Sequence, residues 1–347
     1  GTGAGSLNQK RVDTILRIDQ PFERGNKREL RMDAAEGLEL AARGDSLEVL
    51  RVQLAQLRGA YYDLKQAEEK AAILAETAQL FSRTLAAAQS RLKAGDLAAA
   101  DVAKVQVDYE RAQNDARASQ AELARARIAL AYLIGEDRTA AELRASDPWP
   151  DRERPDPAAV ERAITQAADA RPDVAAARAR VAAAEKLRDL AKSQQTRDIT
   201  LGAQYERYPS NIPTDSIGFG ISLPLFTGND FSGDIQRAEI DRYATLDALD
   251  RARAIAGNDI RRAASDLAAA SDRVERYDST LLDAAQRTAQ AVEFAFQRGA
   301  TSVLEVLDAR RTLRAVRLEA LAARTEYAKA LATWRASLTT TQIPGQK

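Results

Sequence analysis

The sequence predicts a mainly α-helical protein with a small β part, in which a strand leading into a long helical hairpin occurs twice. One observation is a strict alternation over residues 217–225, where apolar side chains alternate with small or polar ones, the period of a β-strand. A second is the helical run that follows. Only Gly257 interrupts it before about Gln297, so it would be on the order of 95 Å long. The third is a repeat of this junction.

The repeat relates two halves of the chain at a nearly constant offset. Gly25 corresponds to Gly228 after the strand, and Gly95 corresponds to Gly299 at the far end of the long helix. Internal repetition of this kind indicates a duplicated structural unit. Each unit is predicted to contain a strand, a long helix, a glycine turn and a shorter helix.

The long helices are predicted from apolar residues at three-and-four spacing, and their ends from basic residues followed by glycine. Asp96 is expected to cap the helix after the first turn. The second half has one helix and one strand more than the first, and we expect that missing pair upstream of Gly1. The predicted segments are a strand and loop (1–28), a helical hairpin (29–135), a proline-rich linker with a short helix (136–171), a helix (172–198), a β-hairpin (199–229), a second helical hairpin (230–340) and a tail (341–347).

Composition excludes several functions. The 51 basic and 51 acidic side chains balance, which gives no support for nucleic-acid binding. The chain has no Cys and no His, so the usual soft metal ligands and the Ser-His and Cys-His nucleophile pairs are missing. No carboxylate pair has a recognisable catalytic context. We therefore predict no enzyme activity, no cofactor and no metal site.

Charged and polar residues share one face of the predicted strands. This alternation suits a membrane β-barrel with a water-filled lumen. By pattern alone it equally fits an edge strand of a soluble sheet. The residues predicted to face the lumen are Asp13, Arg17, Asp19, Gln204 and Glu206.

Three or four strands cannot close a barrel by themselves, and an open sheet edge cannot lie in lipid. The chain is therefore expected to oligomerise. Three copies of four strands would give ~12 strands, an even number within the range of membrane barrels. Antiparallel helical hairpins from the same copies could form a hollow cylinder continuous with that barrel.

Three motifs resemble the TolC-like outer-membrane factors, also called outer-membrane efflux proteins. They are the strand ending Pro224-Leu-Phe, the turn Gly299-Ala-Thr-Ser-Val-Leu-Glu-Val-Leu-Asp-Ala, and Arg171-Pro-Asp-Val. The likeness covers essentially the whole chain. It implies a homotrimer in the bacterial outer membrane that spans into the periplasm, with a 12-stranded transmembrane β-barrel continuous with a long α-helical barrel.

The resemblance also implies a function and partners. The strands beginning at Asp198 and Ser216 are most similar to the cobalt–zinc–cadmium branch of these proteins, which works with RND pumps. Expected partners are outer-membrane lipid, a periplasmic adaptor (membrane fusion protein) and an inner-membrane RND pump. The expected function is export of divalent heavy-metal cations. Alternatives are a channel for multidrug efflux or type I secretion, and, further off, a coiled-coil scaffold or a periplasmic adaptor.

The likeness implies a periplasmic gate lined by acidic residues. Glu305 and Asp308, spaced i and i+3, share one helix face just after Gly299. In a trimer each would form a ring of three carboxylates, which favours cations. Asp101 is the first-half counterpart of Glu305. The alternative is a solvated helix N-terminus, where acidic residues are favourable anyway.

The two glycine turns are the positions at which the family docks its adaptor. The alternative is simple helix capping, and the two roles are compatible. The polar lock of the family is incomplete here, since Thr301 and Phe296 stand where it has arginine and tyrosine. The docking residues implied are Gly95, Asp96, Leu97, Gly299, Ala300 and Thr301.

Overall fold

The computed structural model describes residues 14–208, 214–226 and 228–339. The predictions for Asp13, for the loop 209–213 and for the terminal segments lie outside these residues. The chain forms two compact units. One contains the chain up to residue 45 together with 173–252, and the other contains 46–172 together with the chain from 253 onward.

The described helices follow the predicted order. They are α1 (Lys27–Lys93), α2 (Ala99–Ile134), α3 (Pro157–Ala170), α4 (Pro172–Ser193), α5 (Ser232–Arg276), α6 (Leu282–Gln297) and α7 (Val303–Ser337). A short 3-10 helix (Asp137–Glu142) and a π-helical turn (Tyr277–Leu281) were not predicted. No helix in the described part of the chain combines the length and apolar character needed to cross a membrane.

The first unit contains an antiparallel sheet of three strands in the order β1-β2-β3. The strands are β1 (Thr14–Phe22), β2 (Ile199–Tyr208) and β3 (Thr214–Ser222). Arg17 pairs with Gln204 and Gln204 with Gly218, so one row of the sheet crosses all three strands. The third strand ends before Pro224, which cannot donate a ladder hydrogen bond.

The junction between β1 and α1 packs on the segment before β2. Lys27 is 4% exposed, and its Nζ donates to Thr196 O and to Asp198 Oδ1, both at 2.8 Å. Gly25 has a φ of 75°, and a Cβ there would come within 3.1 Å of the Thr196 side chain. This junction therefore depends on contacts with a segment far away in sequence.

The junction before α5 is built differently. Gly228 also has a positive φ, 85°, but a Cβ there would meet nothing within 4 Å. Asp230 forms a local turn in front of the helix, because its Oδ1 accepts from the backbone N of Ser232 at 3.0 Å and from its hydroxyl at 2.7 Å. The duplicated sequence thus forms two unlike junctions.

The second unit contains both glycine turns, and here the duplication extends to individual hydrogen bonds. Gly95 and Gly299 have φ values of 83° and 75°. Each turn is closed by the paired backbone bonds of a Schellman motif. The bonds are Gly95 N to Leu92 O (3.0 Å), Asp96 N to Arg91 O (2.9 Å), Gly299 N to Phe296 O (3.0 Å) and Ala300 N to Ala295 O (2.9 Å).

One prediction about these turns is wrong. Asp96 does not cap α2, since the N-cap residue is Ala98, with φ −76° and ψ 146° and no side-chain cap bond. Asp96 instead belongs to the preceding turn, where its backbone N–H closes α1. The corresponding residue of the second turn, Ser302, has nearly the same backbone angles and accepts a bond from Glu305 N.

Helix α7 is the centre of the second unit. Its buried residues join two apolar clusters, one of which contains Tyr327, Leu331 and Trp334. Arginines on α7 also bind the other hairpin. Arg311 donates to both carboxylate oxygens of Asp108, at 2.7 and 2.5 Å, and Asp108 is only 5% exposed.

Candidate functional site

The predicted polar face of the strands is present in the sheet. The cross-strand register puts Arg17 and Asp19 on the same face as Gln204 and Glu206. Arg17 Nε lies 2.8 Å from Asp19 Oδ2, and the Gln204 amide donates to the Glu206 carboxylate. Asp13, the fifth residue of this predicted set, lies outside the described residues.

Glycines make room on this face for the charged side chains. A Cβ at Gly202 would lie 2.6 Å from Asp19 Oδ1, so only glycine lets that carboxylate extend across β2. Gly218 and Gly220 continue the row on β3 and help to line a shallow concavity of about 320 Å³ with Arg17. The sequence signal for this feature is the alternation of glycine with large apolar residues, which predicted a small-residue face but not the concavity.

The opposite face of the sheet is apolar and exposed. Ile217, Phe219 and Ile221 on β3 are 72%, 86% and 75% exposed, and Leu16 and Ile18 continue the surface on β1. Exposed apolar patches of this kind mark sites that contact lipid or another protein. One sheet thus presents water-compatible and lipid-compatible surfaces on opposite sides.

The turn residues lie at the ends of two hairpins that pack together. Phe81, Leu85, Val105 and Leu307 belong to one buried cluster that joins both hairpins near their turns. Most of the predicted docking residues are exposed, while Leu97 and Thr301 are half-buried. The set is Gly95, Asp96, Leu97, Gly299, Ala300 and Thr301.

Phe296 has a role in this arrangement that the sequence did not suggest. The Arg91 guanidinium, from the first hairpin, lies 5.0 Å from the centroid of the Phe296 ring in the second. A cation that lies over the face of an aromatic ring is attracted electrostatically to the ring. The two hairpin ends are therefore joined by a cation–π contact at the position where the family has a tyrosine.

Glu305 and Asp308 are both exposed on α7. They line one end of a groove of about 590 Å³ between α6 and α7, whose other walls are largely apolar. Thr301 donates a hydrogen bond to Glu305. Within the described residues, neither carboxylate forms an ion pair.

Asp101 differs from these two residues. It is half-buried on α2, and its Oδ1 lies 3.3 Å from the ammonium group of Lys104 one turn further on. The structure therefore brings Glu305 and Asp308 together on one helix but gives Asp101 a basic partner of its own. Sequence reasoning missed the ion pair between Arg311 and the buried Asp108, because nothing in the local pattern of α2 or α7 joins those two positions.

The sequence contains no histidine and no cysteine, which leaves carboxylates as the main side-chain ligands for a metal ion. In the residues that the structure describes, no group of three or more potential ligands is arranged to hold a metal ion. The electrostatics of the sheet junction are more distinctive. The Lys27 ammonium holds the pKa of Asp198 below its ordinary value, and the backbone N–H of Arg24 adds to this effect.

The described strands and helical hairpins together match the fold of solved outer-membrane proteins. The fold matches the outer membrane protein VceC from Vibrio cholerae with a TM-score of 0.78, at 20% identity, over 94% of this chain and 79% of that chain. It matches CusC with a TM-score of 0.76, at 19% identity, over 94% and 77% of the two chains. The predicted TolC-like fold is thereby confirmed.

The family follows from sequence. The profile described as "Outer membrane efflux protein" matches residues 163–340, and the chain belongs to this family. Among curated proteins, it is 28% identical to the cobalt-zinc-cadmium resistance protein CzcC of Cupriavidus metallidurans over 317 residues, which cover 89% of this chain and 72% of that protein. The protein is an efflux channel subunit of the bacterial outer membrane that extends into the periplasm, and not an enzyme.

Proposed function

We propose that the protein is the outer-membrane channel of a tripartite RND-type system that exports divalent heavy-metal cations from the periplasm, or directly from the pump, to the exterior. The observation that carries this proposal is the similarity to CzcC, a cobalt-zinc-cadmium resistance protein, along most of the chain. Channels for multidrug efflux or type I secretion are the alternatives. Membership of the efflux protein family excludes the scaffold and the periplasmic adaptor.

The working form is a homotrimer. The sheet has three described strands and two unpaired edges, which lipid cannot satisfy. Three chains of four strands would close a barrel of ~12 strands without edges. The exposed apolar row around Phe219 would then face lipid, and the row containing Arg17, Asp19 and Gln204 would face the lumen.

Cations are favoured at the periplasmic entrance by Glu305 and Asp308. Both carboxylates are exposed and without an ion-pair partner in the described residues, so their charge is available to a passing ion. Threefold symmetry would turn each into a ring, and rings of carboxylates select cations in pores. Asp101 contributes less to this selection, because Lys104 already offsets its charge.

The adaptor binds at the hairpin ends. The two Schellman turns satisfy their own backbone groups through local bonds, so no further contact within the chain is needed to hold the exposed backbone around Gly95 and Gly299. The cation–π contact of Arg91 and Phe296 keeps the two ends adjacent, as a shared docking surface would require.

The decisive experiment is expression in a bacterial strain that lacks its own outer-membrane channel, together with a cobalt–zinc–cadmium pump and adaptor. We expect tolerance to zinc, cobalt and cadmium to rise, and tolerance to organic dyes to stay unchanged. Protection against dyes alone would favour the multidrug alternative and contradict the metal assignment.

Neutral variants test the entrance. Glu305→Gln with Asp308→Asn should lower the cation-to-anion permeability ratio in planar bilayers by roughly tenfold, because two rings of charge are lost. Asp283→Asn is the matched control, since Asp283 is an exposed acidic residue on α6 already paired with Arg287 at 2.8 Å. An unchanged ratio in the double variant would contradict the gate role.

A further inference from the structure

Two arginines at the end of the sheet next to α1 and α4 have no carboxylate partner for their guanidinium groups within the described residues. Arg197 comes two residues before β2, and Arg24 comes two residues after β1. Continuing the register that pairs Phe22 with Ile199 places Arg24 across from Arg197. A bond of 3.0 Å from Arg24 N to Asp198 Oδ1 keeps the two segments adjacent.

The nearby carboxylates are engaged elsewhere. Asp198 accepts from Lys27, and Glu23 pairs with Arg31 at 2.7 Å. Among the described residues, no carboxylate forms an ion pair with the guanidinium of Arg24 or Arg197. Because the register places the two arginines on facing segments, an anion beside both would lower the repulsion between their charges.

The position of Arg197 points to the lipid side. Residues two apart on an extended chain lie on the same side, which puts Arg197 in line with Ile199 and Leu201 of the apolar face. Its guanidinium lies 5.7 Å from the centroid of the Phe226 ring, and Phe226 packs edge-on against Phe231 with ring centroids 5.0 Å apart. Girdles of aromatic residues flank the apolar band of transmembrane β-barrels at both interfaces, so this aromatic cluster suits a membrane–water interface.

The depth of the site agrees with this position. β1 has 9 residues and β2 has 10, the length with which a tilted strand crosses the hydrocarbon layer. Arg207 lies at the other end of β2, on the same face as Arg197, and it pairs with Asp215 at 4.0 Å. The end that carries Arg24 and Arg197 adjoins α1 and α4, and so faces the periplasm in this family of channels.

We propose that Arg24 and Arg197 bind the headgroup phosphate of a phospholipid in the periplasmic leaflet of the outer membrane. A guanidinium presents two parallel N–H donors that match phosphate oxygens, and the negative charge relieves the repulsion between the arginines. The acyl chains lie along the apolar face, on Ile199 and Leu201. This inference rests on the proposed orientation of the sheet, with its apolar face toward lipid.

The test measures lipid binding by the trimer in dodecyl maltoside, a detergent without phosphate. Dioleoyl phosphatidylglycerol is titrated, and bound lipid is counted by native mass spectrometry. Arg24→Ala with Arg197→Ala should weaken binding of the tightest lipid about tenfold or more, the size expected for losing hydrogen bonds to a charged group. Arg207→Ala, on the same face at the other end of β2, should bind as the wild type does.

Further measurements distinguish a lipid phosphate from inorganic phosphate, and a lysine variant controls for misfolding of the alanine variant. Inorganic phosphate should not compete at millimolar concentration, because it lacks the acyl chains. Arg24→Lys with Arg197→Lys keeps both charges but loses the paired N–H donors, so it should bind lipid more tightly than the double alanine variant and more weakly than the wild type. Equal lipid binding by the double alanine variant and the wild type, equal loss in Arg207→Ala, or displacement of lipid by inorganic phosphate would each overturn the proposal.

The orientation of the sheet has its own readout. Phe219→Trp places an indole on the apolar face, and brominated lipids quench tryptophan only on contact. Quenching together with unchanged lipid binding in the double alanine variant would reject the phosphate site and leave the channel orientation intact. A lack of quenching would reject the orientation, and the phosphate site with it.

Discussion

The glycine turns and the strand-to-helix junctions are both duplicated in the sequence, yet they differ in how far the duplication reaches. The two turns agree in backbone angles and in both closing bonds. The two junctions share a glycine with positive φ and a left-handed residue directly before the helix, Asn26 (φ 58°) and Phe231 (φ 60°), but their side-chain contacts differ. At the first junction Lys27 is buried against Asp198, and at the second Asp230 bonds Ser232 at the start of its own helix.

The difference shows which part of a duplicated unit can diverge. A Schellman turn is satisfied by its own neighbours, so both copies keep one solution whatever surrounds them. Both junctions contact the segment before β2, the second through Gln195 Nε2, which donates to Asp230 O at 3.0 Å, but only Gly228 has open space around its missing Cβ. Each junction was therefore free to adapt to its own surroundings.

The largest expected effect comes from removing the buried charge at the first junction. Lys27→Met should lower the free energy of unfolding by about 2–3 kcal/mol, because two charge-assisted hydrogen bonds are lost. Asp230→Ala at the second junction should cost only about 1 kcal/mol, because only local hydrogen bonds to Ser232 are lost. Denaturant unfolding in detergent measures both. Equal losses would mean that the junctions are equivalent after all.

The junction glycines should also differ in sensitivity. Gly228→Ala should cost about 1–2 kcal/mol for the left-handed backbone alone. Gly25→Ala should cost more than Gly228→Ala, since its methyl group would also press against Thr196. Comparing the thermal midpoints of the two variants checks this order, and the reverse order would show that contacts at Thr196 are unimportant.

The turn glycines should behave alike. Both Gly95 and Gly299 have positive φ with open space around the missing Cβ. Alanine at either position should therefore destabilise by about 1–2 kcal/mol, and the two losses should agree within about 0.5 kcal/mol. A larger gap in the measured free energies would contradict the equivalence of the turns.

The turns do differ in one side chain, at the N-cap. Ala98→Ser should stabilise the protein by about 0.5–1 kcal/mol, because serine can cap α2 as Ser302 caps α7. Ser302→Ala should cost a similar amount. If Ala98→Ser has no effect on the unfolding midpoint, the two N-caps are not interchangeable.

The smallest effect is a pH dependence at the first junction. The pKa of Asp198 is lowered by Lys27, so the contribution of this carboxylate to stability is complete above the ordinary aspartate pKa of about 3.9 and is lost as pH falls through the lower folded-state pKa. Asp198→Asn should therefore be less stable than the wild type at pH 7, and the difference should shrink in acid. A difference that stays constant down to about pH 2 would contradict this pairing.

The sequence was sufficient where a pattern is local or periodic. Alternation around Phe219 predicted a strand with two unlike faces, and the basic residue followed by glycine at Gly95 and Gly299 predicted the turns. The long helices were predicted from the three-and-four spacing of their apolar residues. The wrong prediction for Asp96 also has a local origin, because an acidic residue just before a helix resembles an N-cap. Only the backbone conformation shows that Asp96 belongs to the turn after α1 and that Ala98 is the N-cap residue of α2.

Other features depend on residues that are distant in sequence. The ion pair between Arg311 and the buried Asp108 joins two helices that share no sequence signal. The π-helical turn at Tyr277–Leu281 lies in an uninterrupted helical pattern, which predicts no irregularity. There Tyr277 donates to Glu319 on α7 at 3.1 Å, a contact with a different helix.

The amino-acid sequence by itself determined the duplicated strand-and-hairpin units, the two faces of the strands and the positions of the glycine turns. These properties follow from side-chain periodicity and from backbone angles that only certain residues adopt readily. Tertiary structure alone decided that the two junctions differ and which charges are buried. The physical reason is that burial and ion pairing depend on which distant segment lies beside a residue, and no local pattern encodes that neighbour.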